Sequence, residues 1–226
     1  MMESLQKFKD IHKGKRIWIC GSGGSLLDII PEQIPLSDIV ICCNSSTYHF
    51  KSFDYAVFTD ETANWSEWCL GIADRNCKQI NCNEAVVSVA KDCTYLDKDF
   101  SAWKFNESDT KVIGGYDVIH CATHIAWIMG ASEIILAGVD LKHISPEKKY
   151  AYSQDTIEST PESLTQSLQF GLHANPSLFD GSLGLSLSGW NMINQFNPDL
   201  NIKTISNDTN LTIYPYESFE SLCKMK

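Results

Sequence analysis

Apolar residues fall in short, evenly separated blocks along this chain, and the polar residues that close each block are as informative as the blocks. Ile17-Trp18-Ile19-Cys20 and Ile39-Val40-Ile41-Cys42-Cys43 are continuous rather than alternating, and a third run ends at Val57-Phe58. Continuous apolar strands are those covered on both faces, as in a parallel sheet. The pattern predicts strands at 16–20, 38–43 and 54–58, closed by Gly21, Asn44 and Thr59-Asp60. Between 112 and 130 the period changes. Positions 118, 119, 122, 125, 126 and 129 are apolar at helical spacing, and Gly130 supplies a stop. Ser132 to Asp140 follows as a buried strand whose end presents Asp140. The remaining pattern predicts a charged helix over 1–14, a short helix over 24–30 that stops before Pro31, and a helix over 62–74. It also predicts a helix at 186–196, a last strand at 201–205 and an amphipathic tail at 214–222, while 84–89 reads equally as strand or short helix.

Strands alternating with helices give an α/β chain: a Rossmann-like, mostly parallel sheet with helices on both faces. Such sheets bind ligands outside the carboxyl ends of their strands, where Gly21, Asn44, Asp60 and Asp140 fall. The glycine turn and Asp140 thus belong to two halves facing one cleft. Residues 142–182 turn rich in Ser, Thr, Pro, Gln and charge, a lid-like or acceptor loop region. The 226 residues fit one nucleotide-binding domain over 1–226.

Gly21-Ser22-Gly23-Gly24-Ser25-Leu26 follows the first strand directly. Glycines there let the backbone turn and approach a phosphate, and the first-turn N–H groups of a following helix point at that anion. The dinucleotide fingerprint lacks its third glycine, and the second strand ends in Asn44 where a ribose-binding acid would stand, so NAD is disfavoured. Asn44 both donates and accepts hydrogen bonds without repelling phosphate.

A formal net charge of −10 argues against a nucleic-acid backbone as partner. No apolar run approaches the roughly 20 residues that cross a bilayer, and the start is polar, so the expected location is the cytoplasm. Nine cysteines, several inside apolar runs, are expected as reduced core thiols rather than disulfides or a zinc site. His120 and His124 share a helix face but sit in an apolar helix, which favours satisfied core histidines over metal ligands. Asp97-Lys98-Asp99 has the spacing of a metal-dependent transferase motif but is common enough by chance to be discounted.

Taken together, Gly-Ser-Gly-Gly-Ser-Leu after the first strand, Asn44 after the second, Gly114-Gly115-Tyr116 before a helix, and Gly130-Ala131-Ser132-Glu133-Ile134-Ile135-Leu136-Ala137-Gly138-Val139-Asp140-Leu141 resemble the sialyltransferases of glycosyltransferase family 42. The resemblance extends to a wider group that includes motility accessory factor glycosyltransferases and 6-hydroxymethylpterin pyrophosphokinase-like proteins. It covers residues 15 to about 155. It implies that Gly21, Ser22, Gly23, Ser25 and Asn44 hold the CMP part of a sugar donor, with Gly114, Gly115, Lys111 and Asp140 also on the donor side. It places Tyr150 on the leaving phosphate, with Lys142 where the family has a second tyrosine. The loop departs from the family's Gly-Asn-Gly-Pro-Ser at Ser22 and Gly24, and Lys111 stands for an arginine. The family's catalytic histidine has only His143 and His173 as candidates. A homo-oligomer would be unsurprising for this family.

The expected function is a glycosyltransferase that uses a nucleotide-sugar donor, CMP-sugar-like, on a glycan, protein or other hydroxyl acceptor, with no cofactor required. Glycosyl transfer needs a base for the acceptor proton, stabilisation of the departing phosphate, and a dry site. His143 or His173 is the candidate base, with Tyr150 and Lys142 at the phosphate. One alternative is a pyrophosphokinase-like enzyme with Mg²⁺ held by Asp60 and Asp140. The other is a non-catalytic nucleotide-binding protein.

Overall fold

The structure is a computed structural model that describes residues 3–59, 77–82, 93–142 and 176–224. Its centre is a seven-stranded sheet in the order β5-β4-β3-β2-β1-β8-β9. The strands are β1 (Arg16–Cys20), β2 (Ile39–Cys43), β3 (Tyr55–Phe58), β4 (Lys78–Asn81), β5 (Cys93–Tyr95), β8 (Glu133–Ala137) and β9 (Ile202–Thr204). Every neighbouring pair is parallel; β1 pairs Ile17 with Ile39 on one side and with Ile134 on the other. A small parallel pair, β6 (Lys98–Asp99) with β7 (Val112–Ile113), stands apart.

Alternation along β1 splits the core between two faces. Ile17 and Ile19 pack with helix α1 (Val118–Ile128) and with Trp190 and Ile193 of helix α2 (Pro176–Phe196). Trp18 and Cys20 face the other way, onto Leu26, Ile29, and Phe219 and Leu222 of helix α3 (Phe219–Lys224). Both faces of β1 and β2 are therefore dry, which is why their sequences carry no polar alternation.

Several expected elements change length. Instead of a helix over 1–14, one 3₁₀ turn, Leu5–Phe8, is followed by turns, because Asp10 adopts φ 57° and breaks the ladder. The helix over 24–30 is a 3₁₀ turn, Gly24–Asp28, closed by Ile29 in extended conformation, with a second such turn at Pro31–Gln33. Helix α2 begins ten residues before the expected start; Asp180, Gly181, Gly184 and Gly189 obscure its period. The tail is helical only in α3. Strands β4 to β7 carry no sequence expectation, being two to four residues each. The helix expected at 62–74 and the undecided 84–89 lie outside the described residues.

The amino ends of the strands are held by charge. Arg16 Nε lies 3.1 Å from Asp38 Oδ2, to which Trp18 Nε1 also donates at 2.9 Å. Lys203 Nζ sits 2.8 Å from Glu133 and 2.6 Å from Glu217. This network occupies the rim opposite the strands' carboxyl ends.

His120 and His124 are buried core residues, as their apolar helix implied, but they are not fully satisfied: the Nε2 of each makes no hydrogen bond among the described residues. Ile113 N donates at 2.9 Å to His124 Nδ1, and Tyr116 N at 3.1 Å to His120 Nδ1. An Nδ1 that accepts assigns the proton to Nε2, and His124 Nε2 lies 3.2 Å from Asp109 Oδ2. Phe105 stacks on His124 with ring centroids 4.4 Å apart. Burial lowers both histidine pKa values, against the opposing pull of Asp117 on His120 and Asp109 on His124. A histidine with a lowered native pKa stabilises the fold above its unfolded value of about 6.5, and that stability drains as pH falls through the native value. We expect unfolding free energy to decline below about pH 6.5 and the slope to shrink in His124→Asn. Denaturant titrations from pH 7.5 to 5 check this; an unchanged slope would refute it.

Candidate functional site

The chain crosses from β1 to β2 on one side while β8 lies on β1's other side, so the β1–β8 seam is the topological switch point of the sheet. The pairing of these strands continues past their ends. Gly21 N donates to Ala137 O at 2.7 Å and Gly23 N to Gly138 O at 2.8 Å. A Cβ on Gly21 would stand 2.5 Å from Gly138 O, and one on Gly23 would stand 2.6 Å from Asp140 Oδ2. These two glycines therefore serve the close approach of two loops of the same chain.

The 3₁₀ turn that follows already holds an anion. Ser25 N donates to Asp140 Oδ2 at 2.9 Å, and Ser25 Oγ donates to Asp140 Oδ1. This corrects the reading of the turn as an open phosphate cradle, since the first-turn N–H of Ser25 is spent on the chain's own carboxylate. Burial raises the pKa of Asp140, while hydrogen bonds from Ser25 and Ser206 work to lower it and Asp28 adds to the rise. The Asp140 backbone oxygen is also held, by Asn210 N and Thr209 Oγ1, each at 2.9 Å. Asp140 thus clamps the loops after β1 and β9 to the end of β8.

Above this clamp the described residues line a cleft of about 190 Å³. Its walls are Gly21 to Gly23, Cys43 at the end of β2 with Asn44 after it, the cap and first residues of α1 from Asp117 to Ile119, Gly138 to Lys142, and Leu183. Asn44 takes φ 49° and Leu141 φ 51°; with Asp10 they are the three non-glycine residues of positive φ among the described residues. Two of those three line the cleft. Left-handed backbone at a leucine costs about 1–2 kcal/mol, and strain of this kind concentrates where function requires it. Asn44 Oδ1 is buried with no hydrogen-bond partner among the described residues. The end of β2 is fixed beneath it, because Ser46 Oγ donates to Cys20 O at 2.7 Å and accepts from Cys43 N at 2.8 Å.

Charge in the cleft is uneven. Asp117 caps α1 by accepting from His120 N at 2.9 Å and also accepts from Ser186 Oγ of α2. Lys142 is the one cation among the described lining residues, and its ammonium pairs with Asp208. Cys43 is no nucleophile here: burial pushes its thiol well above the ordinary value.

Of the residues expected to bind the donor, Gly21, Ser22, Gly23, Asn44, Asp140 and Lys142 line this cleft, and Ser25 stands behind Asp140. Lys111 pairs with Asp97, a Cβ on Gly114 would meet the Phe100 ring at 2.8 Å, and Gly115 at φ 50° packs on His120. None of these three is among the cleft's described lining residues. His143, Tyr150, His173 and Asp60 lie outside the described residues. Asp117, Cys43, Leu141 and Leu183 join the site without having been singled out. Asp117 carried a signal, being an N-cap residue before an apolar helix; Leu141 carried none, because its strain is visible only in the backbone. The Asp97-Lys98-Asp99 carboxylates are engaged locally, Asp97 by Lys111 and Asp99 by Ser101 N at 2.8 Å.

No protein-family model and no curated protein sequence matches the chain. Solved structures do. The chain is similar to monofunctional α-2,3-sialyltransferase Cst-I from Campylobacter jejuni, at 15% identity and TM-score 0.57 over 90% of this chain and 80% of that one. It is similar to CstII from Campylobacter jejuni in complex with the substrate analogue CMP-3FNeuAc, at 11% identity and TM-score 0.53 over 90% and 86%. A third likeness is CST-II in complex with a trisaccharide acceptor and CMP, at 13% identity and TM-score 0.52 over 90% and 86%. The chain therefore has the α/β fold of these sialyltransferases. The pyrophosphokinase-like part of the expectation has no counterpart among them. No helix among the described residues is long and apolar enough to cross a membrane.

Proposed function

We propose that this protein is a glycosyltransferase that takes its sugar from a CMP-linked donor and passes it to a hydroxyl acceptor. The observation that carries the reading is Asn44: a left-handed residue at the end of β2, lining the same cleft as the β1–β8 switch point, with a buried acceptor oxygen that has no partner among the described residues. A ribose hydroxyl or the exocyclic amine of cytosine supplies the donor that oxygen lacks. The fold shared with sialyltransferases whose structures hold CMP or a CMP-sugar analogue supports the same choice.

In this reading Gly21 to Gly23 and Asn44 hold the nucleoside, Ser25 and Asp140 fix the floor, and Lys142 faces the phosphate. The acceptor hydroxyl oxygen attacks the anomeric carbon, the bond from that carbon to the phosphate oxygen breaks, and CMP leaves with its electron pair. The acceptor proton passes to a base, for which His143 and His173 are the residues to test, and Tyr150 is the residue to test at the leaving phosphate. The acceptor is a glycan, a protein or another hydroxyl compound. Both Asp140 oxygens already accept hydrogen bonds from Ser25, so a Mg²⁺ held there would share each oxygen with one of them.

Thermal unfolding with CMP, UDP, GDP or ATP, each with and without Mg²⁺, tests the proposal, since a ligand of the native state raises its apparent stability. CMP is expected to stabilise without metal, and Lys142→Ala to weaken CMP about tenfold, on the order of 1.4 kcal/mol. Stabilisation by ATP with Mg²⁺ alone would overturn it. Release of CMP from a CMP-sugar by the chain and an acceptor would exclude a binding-only protein.

A further inference from the structure

A second and larger cleft, of about 550 Å³, opens beside the clamp on the opposite face of the sheet. Its walls come from the turns after β1 and from the segments before and after Tyr216, and Ile205 and Phe219 at its base belong to the core of that face. The volume lies within the roughly 300–1,000 Å³ typical of small-molecule sites. The two clefts share a partition. Ser25 lines the second cleft and donates to Asp140, which lines the first; Asp208 lines the second and pairs with Lys142, which lines the first.

The lining of the second cleft specifies a chemistry. Its charged groups among the described lining residues are Asp28, Asp208 and Glu220, of which Asp208 is paired with Lys142 of the partition; the acids outnumber the cation, so a phosphate, nucleotide or carboxylated sugar meets net repulsion. Tyr216 is half exposed and presents a ring. Gln33 and Asn207, both exposed, supply amide donors and acceptors, and the carboxylates accept from hydroxyl groups. Adjacent hydroxyls on a ring with an apolar C–H face and no negative charge match that set: the hydroxyls pair with amides and carboxylates while the C–H face lies on Tyr216. We propose that this cleft binds an uncharged saccharide and acts as a remote subsite for the acceptor glycan. Its role as an acceptor subsite rests on the glycosyltransferase reading; saccharide binding itself does not.

Saturation-transfer NMR on the full chain tests it, with neutral trisaccharides built from glucose, galactose or N-acetylglucosamine as probes and trigalacturonate as the anionic control. At least one neutral probe is expected to take up signal, to keep it in excess CMP, and to lose it at least fivefold in Tyr216→Ala and in Gln33→Ala. Trigalacturonate is expected to show none. The proposal is overturned if no neutral probe responds, if both variants respond like the parent, if trigalacturonate responds equally, or if spermidine displaces the saccharide and is itself held more tightly. Gln33 is an exposed side chain, so its variant reads binding without a folding defect. A chain that CMP does not stabilise but that binds saccharide through Tyr216 removes the donor reading and keeps this one; CMP stabilisation without saccharide signal removes this one alone.

Discussion

Gly138→Ala is expected to cost on the order of 3 kcal/mol of stability and to abolish stabilisation by CMP, combining a left-handed backbone penalty with overpacking. Gly138 has φ 65°, and a Cβ there would fall on the Gly21 carbonyl oxygen and stand 3.0 Å from Leu26 Cβ. Gly21 cannot retreat, since its N–H is bonded to Ala137 O at 2.7 Å and Gly23 N to Gly138 O at 2.8 Å. Relief requires parting the loops after β1 and β8, which are two walls of the cleft. Gly14→Ala is the control: φ is 76° there, but nothing lies within 4 Å of the added carbon, so only the conformational penalty applies. Chemical denaturation of both variants measures the difference. If Gly138→Ala loses no more than Gly14→Ala, the close approach of the loops is not what holds this seam.

The second large effect is expected at Asn44. Asn44→Ala should weaken CMP tenfold or more while changing stability by no more than about 1 kcal/mol. A hydrogen bond completed in a buried setting is worth about 1–3 kcal/mol when its loss strands the partner. In the unliganded chain the Asn44 Oδ1 is itself the stranded group, so its removal offsets much of the left-handed penalty that alanine brings at φ 49°. Asn44→Asp sharpens the test. It keeps an acceptor and the left-handed tolerance of the parent but adds a charge near a phosphate, so it should bind CMP worse than the parent. Calorimetric titration of the three proteins reads this directly. Equal affinity in Asn44→Ala would remove Asn44 from the donor site and leave the reading without its carrying observation.

The central strands were legible because each is buried on both faces and carries an unbroken apolar run; β1 and β2 begin and end within a residue of their expected bounds. Helix α1 was legible because its period is clean and Asp117 caps it. Edge elements were not. Lys78–Asn81 and Cys93–Tyr95 have too few residues to show a period, and the left-handed turn at Asp10 that breaks the first helix carries neither the glycine nor the proline that would mark a stop. At the site, sequence named the loop, Asn44 and Asp140 from their places at strand ends and Lys142 by likeness to a family tyrosine position, and these do line one cleft. It misread how the glycine turn is used, because the partner of Ser25 is 115 residues away in sequence. Lys111, Gly114 and Gly115 were carried by likeness of motif, and in the structure their neighbours are Asp97, Phe100 and His120.

The self-filled turn at Ser25 bears on which nucleotides the cleft would rank first. An open glycine turn rewards each added phosphate with more N–H groups; this one has spent its N–H on Asp140, and the next helix has spent one of its own on Asp117. A nucleotide seated here meets two carboxylates and the Lys142 ammonium among the described walls. One phosphate can share that ammonium with Asp208, but a second or third brings its charge toward acids with no further cation among the described walls. On the proposed reading the described walls therefore grade nucleotides by charge number, monophosphates above diphosphates and diphosphates above triphosphates, so abundant triphosphates would compete poorly with a singly phosphorylated carrier.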